Sequence, residues 1–164
     1  MMVNHTFILS PGLWSGEGKI IMNMIDEELL FTTEWVVQQP DFSGKVECMQ
    51  TVQIQGLSES MNNELTFYNF QPKQFSVDME NQNIGQIAGC GVIDEKMIAW
   101  EFRNPEMQFE GYETYLLQED GSYLMRGEYI TSDHQFRTQI EARLWAEPRQ
   151  LPPSSNESQE NGEV

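Results

Sequence analysis

The feature that most restricts this chain is an alternation of apolar and polar residues, broken at short intervals by turn signals. Val46, Cys48, Gln50, Val52 and Ile54 alternate with Glu47, Met49, Thr51 and Gln53. Phe109, Gly111, Glu113, Tyr115 and Leu117 alternate with Glu110, Tyr112, Thr114 and Leu116. A repeat of two is the side-chain period of a half-buried β-strand. The breaks are turn formers: Asp26-Glu27, Pro40-Asp41, Gln71-Pro72-Lys73, Asn81-Gln82-Asn83, Asp94-Glu95, Asn104-Pro105, Asp120-Gly121 and Ser132-Asp133-His134. Asp-Gly at 120–121 is the strongest hairpin signal among them. Gly56 to Asn63 reads as the longest loop, with room for one short helical turn around Leu57 and Met61. Elsewhere no stretch carries a helical period. About ten strands joined by short reversals predict an all-β meander. A Greek key would need a long return connection. Closure is how a meander removes its exposed edges. The expected fold is therefore an up-and-down antiparallel barrel of about ten strands.

The 164 residues suffice for one domain with a real core. Residues 1–10 read as a short N-terminal arm and 11–147 as the barrel. Residues 148–164, rich in Pro, Ser, Asn, Gln and Glu, read as a disordered acidic tail. The formal charge of −17 argues against nucleic-acid and anionic-membrane partners, which select basic surfaces. No run approaches the roughly 20 apolar residues of a membrane helix. Cys48 and Cys90, the only cysteines, form no metal spacing and no disulfide framework, and they fit a reducing, cytoplasmic setting. His5 in the arm and His134 in a turn are the only histidines. Both are expected in mobile segments, away from any inward face, so no metal, catalytic triad or cofactor is expected.

The first strand opens Gly12-Leu13-Trp14-Ser15-Gly16-Glu17-Gly18. Trp14, Gly16 and Gly18 share one face, followed by Ile20 and Met22. A large indole beside two absent side chains suits a bent strand that closes a barrel floor. This Gly-x-Trp at the head of strand one resembles the signature of the calycin superfamily, the lipocalins, fatty-acid-binding proteins and nitrobindins. A fainter likeness to cyanobacterial bilin lyases lies in the same residues and in Asp120-Gly121-Ser122-Tyr123-Leu124, Glu128-Tyr129, Arg137 and Arg143-Leu144. The resemblance implies a barrel holding a hydrophobic ligand such as a fatty acid, pigment or tetrapyrrole. It also implies that Arg143 or Arg137 packs its guanidinium over Trp14 to help close the barrel. The chain departs from relatives in lacking room for a helical lid at Asp26-Glu27 and in lacking an inward histidine for haem.

By period two, the Trp14 face continues around the wall as Phe31, Trp35, Cys48, Gln50, Phe67, Phe75, Cys90, Trp100, Tyr115, Tyr129 and Phe136. An aromatic lining with a few polar groups is what a small-molecule pocket looks like. Trp35, Gln50, Phe67, Trp100, Glu113, Tyr115 and Tyr129 are the candidate ligand contacts. Glu113 is the sharpest of them: if its face is inward, a carboxylate stands in an apolar cavity, against Arg126 or Arg137 or protonated. A bulge would turn it to water instead. Glu34, Glu101 and Glu128 belong to the outer wall. The leading expectation is a binding module for a hydrophobic small molecule. One alternative is a lyase or isomerase with Glu113 as general acid/base and a tyrosine as helper. Another is a closed barrel that docks a protein partner.

Overall fold

The computed structural model describes residues 5–104, 106, 109–131 and 135–148. Ten strands follow in chain order: β1 (Gly12–Met22), β2 (Leu29–Val37), β3 (Val46–Ile54), β4 (Met61–Tyr68), β5 (Gln74–Asn81), β6 (Gly85–Ile93), β7 (Met97–Asn104), β8 (Phe109–Leu117), β9 (Tyr123–Thr131) and β10 (Arg137–Ala146). Each pairs antiparallel with its neighbour, and β10 pairs back onto β1, from Trp14 opposite Ala146 to Met22 opposite Thr138. The barrel is closed, so no strand edge is left to pair with another chain. The 55–60 connection is a turn and bend, with β4 beginning at Met61. The expected helical turn is absent because Met61 and Asn63 join the ladder opposite Val52 and Gln50 instead. No helix of the described residues is long and apolar enough to cross a membrane. The expected turn at 132–134, with His134, and the expected tail beyond residue 148 lie outside the described residues.

Alternation decides which side chains enter. Trp35, Val37, Val46, Leu65, Phe67, Val77, Ile98, Trp100, Phe102 and Tyr115 are all buried. Two residues expected inside stand outside. On β6 the inward positions are Ile87, Gly89, Gly91 and Ile93, so Cys90 points out and is exposed. Phe136 has the parity of the inward residues of β10, but that strand begins at Arg137, and the ring projects past the rim at 53% exposure.

The floor is sealed by the N-terminal segment, which is packed rather than mobile. Phe7 and Ile8 are fully buried and His5 nearly so. Phe7 meets the rings of Trp14, Trp35, Tyr115 and Tyr123 at centroid distances of 5.3, 5.1, 5.0 and 5.6 Å. His5 bridges two reversals, with Nε2 donating to the Asp94 carbonyl at 2.7 Å. In the neutral ring that leaves Nδ1 to accept from the Tyr123 hydroxyl at 2.8 Å. Burial pushes Tyr123 up to about 12. Ile8 holds φ at 60°, an uncommon backbone for a β-branched residue, kept in place by its complete burial.

Trp14 lies at this floor, edge-on to Phe7 and Tyr123. Further along β1, towards the cavity, β1 and β10 approach so closely that a Cβ on Gly18 would lie 2.0 Å from the Glu141 carbonyl, and one on Gly16 2.9 Å from that of Arg143. The expected guanidinium over Trp14 is not formed. Arg143 faces Glu17 on the outward side of β1 and reaches Asp120 at 2.8 Å. Arg137 likewise lies outside, paired with Glu128 at 2.8 Å. Trp14 instead meets the rings of Phe7 and Tyr123, while Arg143 is drawn to the Asp120 carboxylate.

Candidate functional site

The interior divides into two halves. Towards the floor it is solid: Phe67 packs on Phe75 and Trp100, and Trp100 stacks on Tyr115 at 4.8 Å. Towards the opposite end, between β1–β5 and β8–β10, lies a cavity of about 320 Å³. That volume is at the low end for small-molecule sites. Its walls are apolar and adaptable, with Met22, Met61, Met79 and Met125 beside Phe31 and Ile140. Of the seven expected contacts, Trp35, Gln50, Glu113, Tyr115 and Tyr129 line it. Phe67 and Trp100 do not; ring-on-ring packing absorbs both into the floor.

Glu113 is inward and buried, so no bulge intervenes. Its expected arginine partners are elsewhere: Arg126 is exposed, and Arg137 serves Glu128. Two tyrosines take their place. Tyr115, two residues along the same face of β8, donates its hydroxyl to Oε1 at 2.7 Å. Tyr129, reaching across from β9, donates its hydroxyl to Oε2. One glycine makes this geometry possible. Gly111 lies opposite Tyr129, and the phenol ring covers it. At Gly127, opposite Glu113, a Cβ would meet the glutamate Cγ at an ordinary contact of 3.4 Å. Trp100, opposite Glu113 on β7, brings its indole near the carboxyl, yet its Nε1 completes no hydrogen bond.

Burial raises the pKa of Glu113 above the usual carboxylate range, while the two hydroxyl donors and the Trp100 indole pull it part of the way back. Burial, and then the negative charge of Glu113, push both tyrosines well above their ordinary value. Burial thus favours the protonated carboxyl more than water does. Such a group can donate a proton or hydrogen bond to a ligand, or ionise when a ligand brings positive charge.

A second polar feature, only partly legible in the sequence, crosses the facing wall. Asn81 Nδ2 donates to Asn63 Oδ1 at 3.0 Å, and Asn63 Nδ2 to Gln50 Oε1 at 3.0 Å. Gln50 Nε2 donates to Thr33 Oγ1 at 3.2 Å, and Thr33 closes the chain on the Thr51 carbonyl at 2.9 Å. All four side chains line the cavity. In the sequence Asn63 falls in an apparent loop, although it shares its parity with Leu65 and Phe67. The Trp35 indole Nε1 is buried without a hydrogen-bond partner among the described residues. Such orphans are uncommon in folded proteins and mark places where a ligand or water completes the bonding.

Among the described residues no three His, Cys, Asp or Glu side chains gather as a metal site requires. Cys48 is buried, its thiol pushed up to about 12 by burial, so it is a packing group rather than a nucleophile or ligand.

No protein-family model matches this sequence, and no curated protein matches it. Solved structures do. The S-type phycobiliprotein lyase CPES from Guillardia theta is similar at a TM-score of 0.63 and 9% identity, over 88% of this chain and 92% of that one. Rv2717c from M. tuberculosis is similar at a TM-score of 0.66 and 12% identity, over 85% of this chain and 93% of that one. At such identities the likeness establishes the fold: this is a calycin-like ten-strand barrel.

Proposed function

We propose that this barrel is a binding module that holds a hydrophobic small molecule in its open half. The observation that carries the reading is the 320 Å³ cavity itself, apolar in its walls, with hydrogen-bonding groups at two fixed places. A barrel built only for stability would fill that volume, because close-packed interiors leave few voids larger than a water. Ten strands enclose more space than side chains alone occupy, as closed barrels of this size do when they carry ligands. The similarity to a phycobiliprotein lyase supports a pigment or related molecule as one class of ligand. The two free cysteines fit a cytoplasmic setting for it.

The test is direct. An environment-sensitive apolar fluorophore should bind the purified protein, and native mass spectrometry should find any ligand that co-purifies. Ile140→Trp, which puts an indole into the cavity, should abolish fluorophore binding while far-ultraviolet circular dichroism stays unchanged. Absence of binding to the unaltered protein would sink the proposal.

A second reading has its own observation. Glu113 stands within hydrogen-bond distance of two further titratable groups inside the cavity. A carboxyl with a raised pKa beside a phenol is suited to general acid/base chemistry, as in a lyase or isomerase. The two readings part on the fate of the ligand. A binding module returns it with unchanged mass and structure, whereas an enzyme returns an isomer or a fragment, and Glu113→Gln stops the conversion without stopping binding.

A further inference from the structure

We propose that the cavity takes an organic cation, a protonated amine on an apolar body, with its ammonium hydrogen-bonded to Glu113. The inference rests on the cavity being a ligand site and assigns the charge of the ligand.

Among the described residues Glu113 is the single charged side chain lining the cavity, and no lysine, arginine or histidine lines it. A carboxylate buried without a cation is costly to ionise, and a partner of opposite charge removes that cost. The described residues supply none. Arg126 points to solvent, and Arg137 is held outside by Glu128. The geometry leaves room for the missing cation. Each carboxylate oxygen offers about two acceptor sites. Tyr115 occupies one on Oε1 and Tyr129 one on Oε2, which leaves one on each. The titratable groups facing Glu113 are these two tyrosines, from β8 and β9; β7 brings only the Trp100 indole, which is uncharged. The surrounding surfaces suit the same guest. Trp35, Phe109, Tyr115 and Tyr129 line the cavity, and aromatic faces attract a cation as well as an apolar body. Tyr129 is itself stacked on Phe109 at 5.5 Å, which holds its face in place. Outside, a formal charge of −17 favours the approach of cations over anions. A carboxylic acid is the wrong guest: it would set a second carboxyl against the first with no cation to share.

Isothermal titration with two matched series tests this: naphthylmethylamine, naphthylmethanol and naphthoate, then decylamine, decanol and decanoate. In at least one series the amine is expected to bind about tenfold or more tighter than the alcohol, and the carboxylate weakest. Glu113→Gln should erase the preference for the amine and leave the alcohol within about threefold of its original affinity. An alcohol or carboxylate that binds as tightly as the amine overturns the assignment while the ligand cavity stands. An amine preference that survives in Glu113→Gln overturns it as well. Failure of all six compounds overturns both the assignment and the cavity reading. The comparison within the unaltered protein holds even if the variant does not fold.

Discussion

The Tyr129 ring lies across Gly111, its cross-strand partner, and this places the tyrosine hydroxyl on Glu113. A Cβ at Gly111 would fall 2.1 Å from Tyr129 Cδ1, so no larger residue can occupy the position without moving the ring. Gly111→Ala is therefore expected to displace Tyr129 and deprive Glu113 of one donor. Overpacking of this kind costs about 1–3 kcal/mol. Urea denaturation measures it, and Tyr129→Phe, which removes the hydroxyl but keeps the ring, separates the lost bond from the clash.

Glu113 makes a signed prediction about pH. Its pKa in the folded protein is raised above 4.5, so between 4.5 and the raised value the folded state holds more protons than the unfolded chain. Stability contributed by the protonated carboxyl is present at the acid end of that window and is lost as pH rises through it. Melting temperatures of the native protein and of Glu113→Gln should therefore diverge in the variant's favour as pH rises from about 4.5. The other acids act equally in both proteins, so the difference isolates this one group. Parallel curves would show that Glu113 ionises freely.

Trp14 and Phe7 tie the N-terminal segment to the floor. Phe7→Ala and Trp14→Ala should each cost about 3–5 kcal/mol, as for other buried aromatics. Neither residue lines the cavity, so ligand affinity per folded molecule should stay close to its original value. Denaturant titration checks the first statement, and calorimetry at saturating folding conditions checks the second. A loss of affinity without a loss of stability would place Trp14 in the pocket instead of the floor.

The cysteines should differ sharply. Cys90 is exposed, whereas Cys48 is buried with its thiol pushed up to about 12. One thiol is expected to react with a disulfide reagent in the folded protein, and the second only after denaturation. Mass mapping of the labelled peptide identifies which.

The sequence by itself determined a barrel of about ten strands, most of the reversals between them and, through period two, the face of almost every wall residue. It put Tyr115 and Trp35 inside and Glu34 and Glu101 outside, because parity along a strand is a local property, and it left Glu113 open between cavity and water, because a bulge elsewhere in the ladder would reverse its face. Where parity met a strand end, as at Phe136, it failed, since only pairing with a neighbour says where the ladder stops. The tertiary structure alone decided which inward residues touch. Tyr129 meets Glu113 diagonally across β8 and β9, and that depends on register, which a single strand does not carry. The same holds for the chain from Asn81 to Thr33, which spans four strands. It also decided what covers the ends. His5 and Phe7 read as part of a loose arm, because a burial that arises only when a barrel floor exists leaves no periodicity in the few residues that provide it. Finally, it separated the inward aromatics into a packed floor and an open cavity. Alternation says that a side chain points in, while the filling of space around it depends on all ten strands at once.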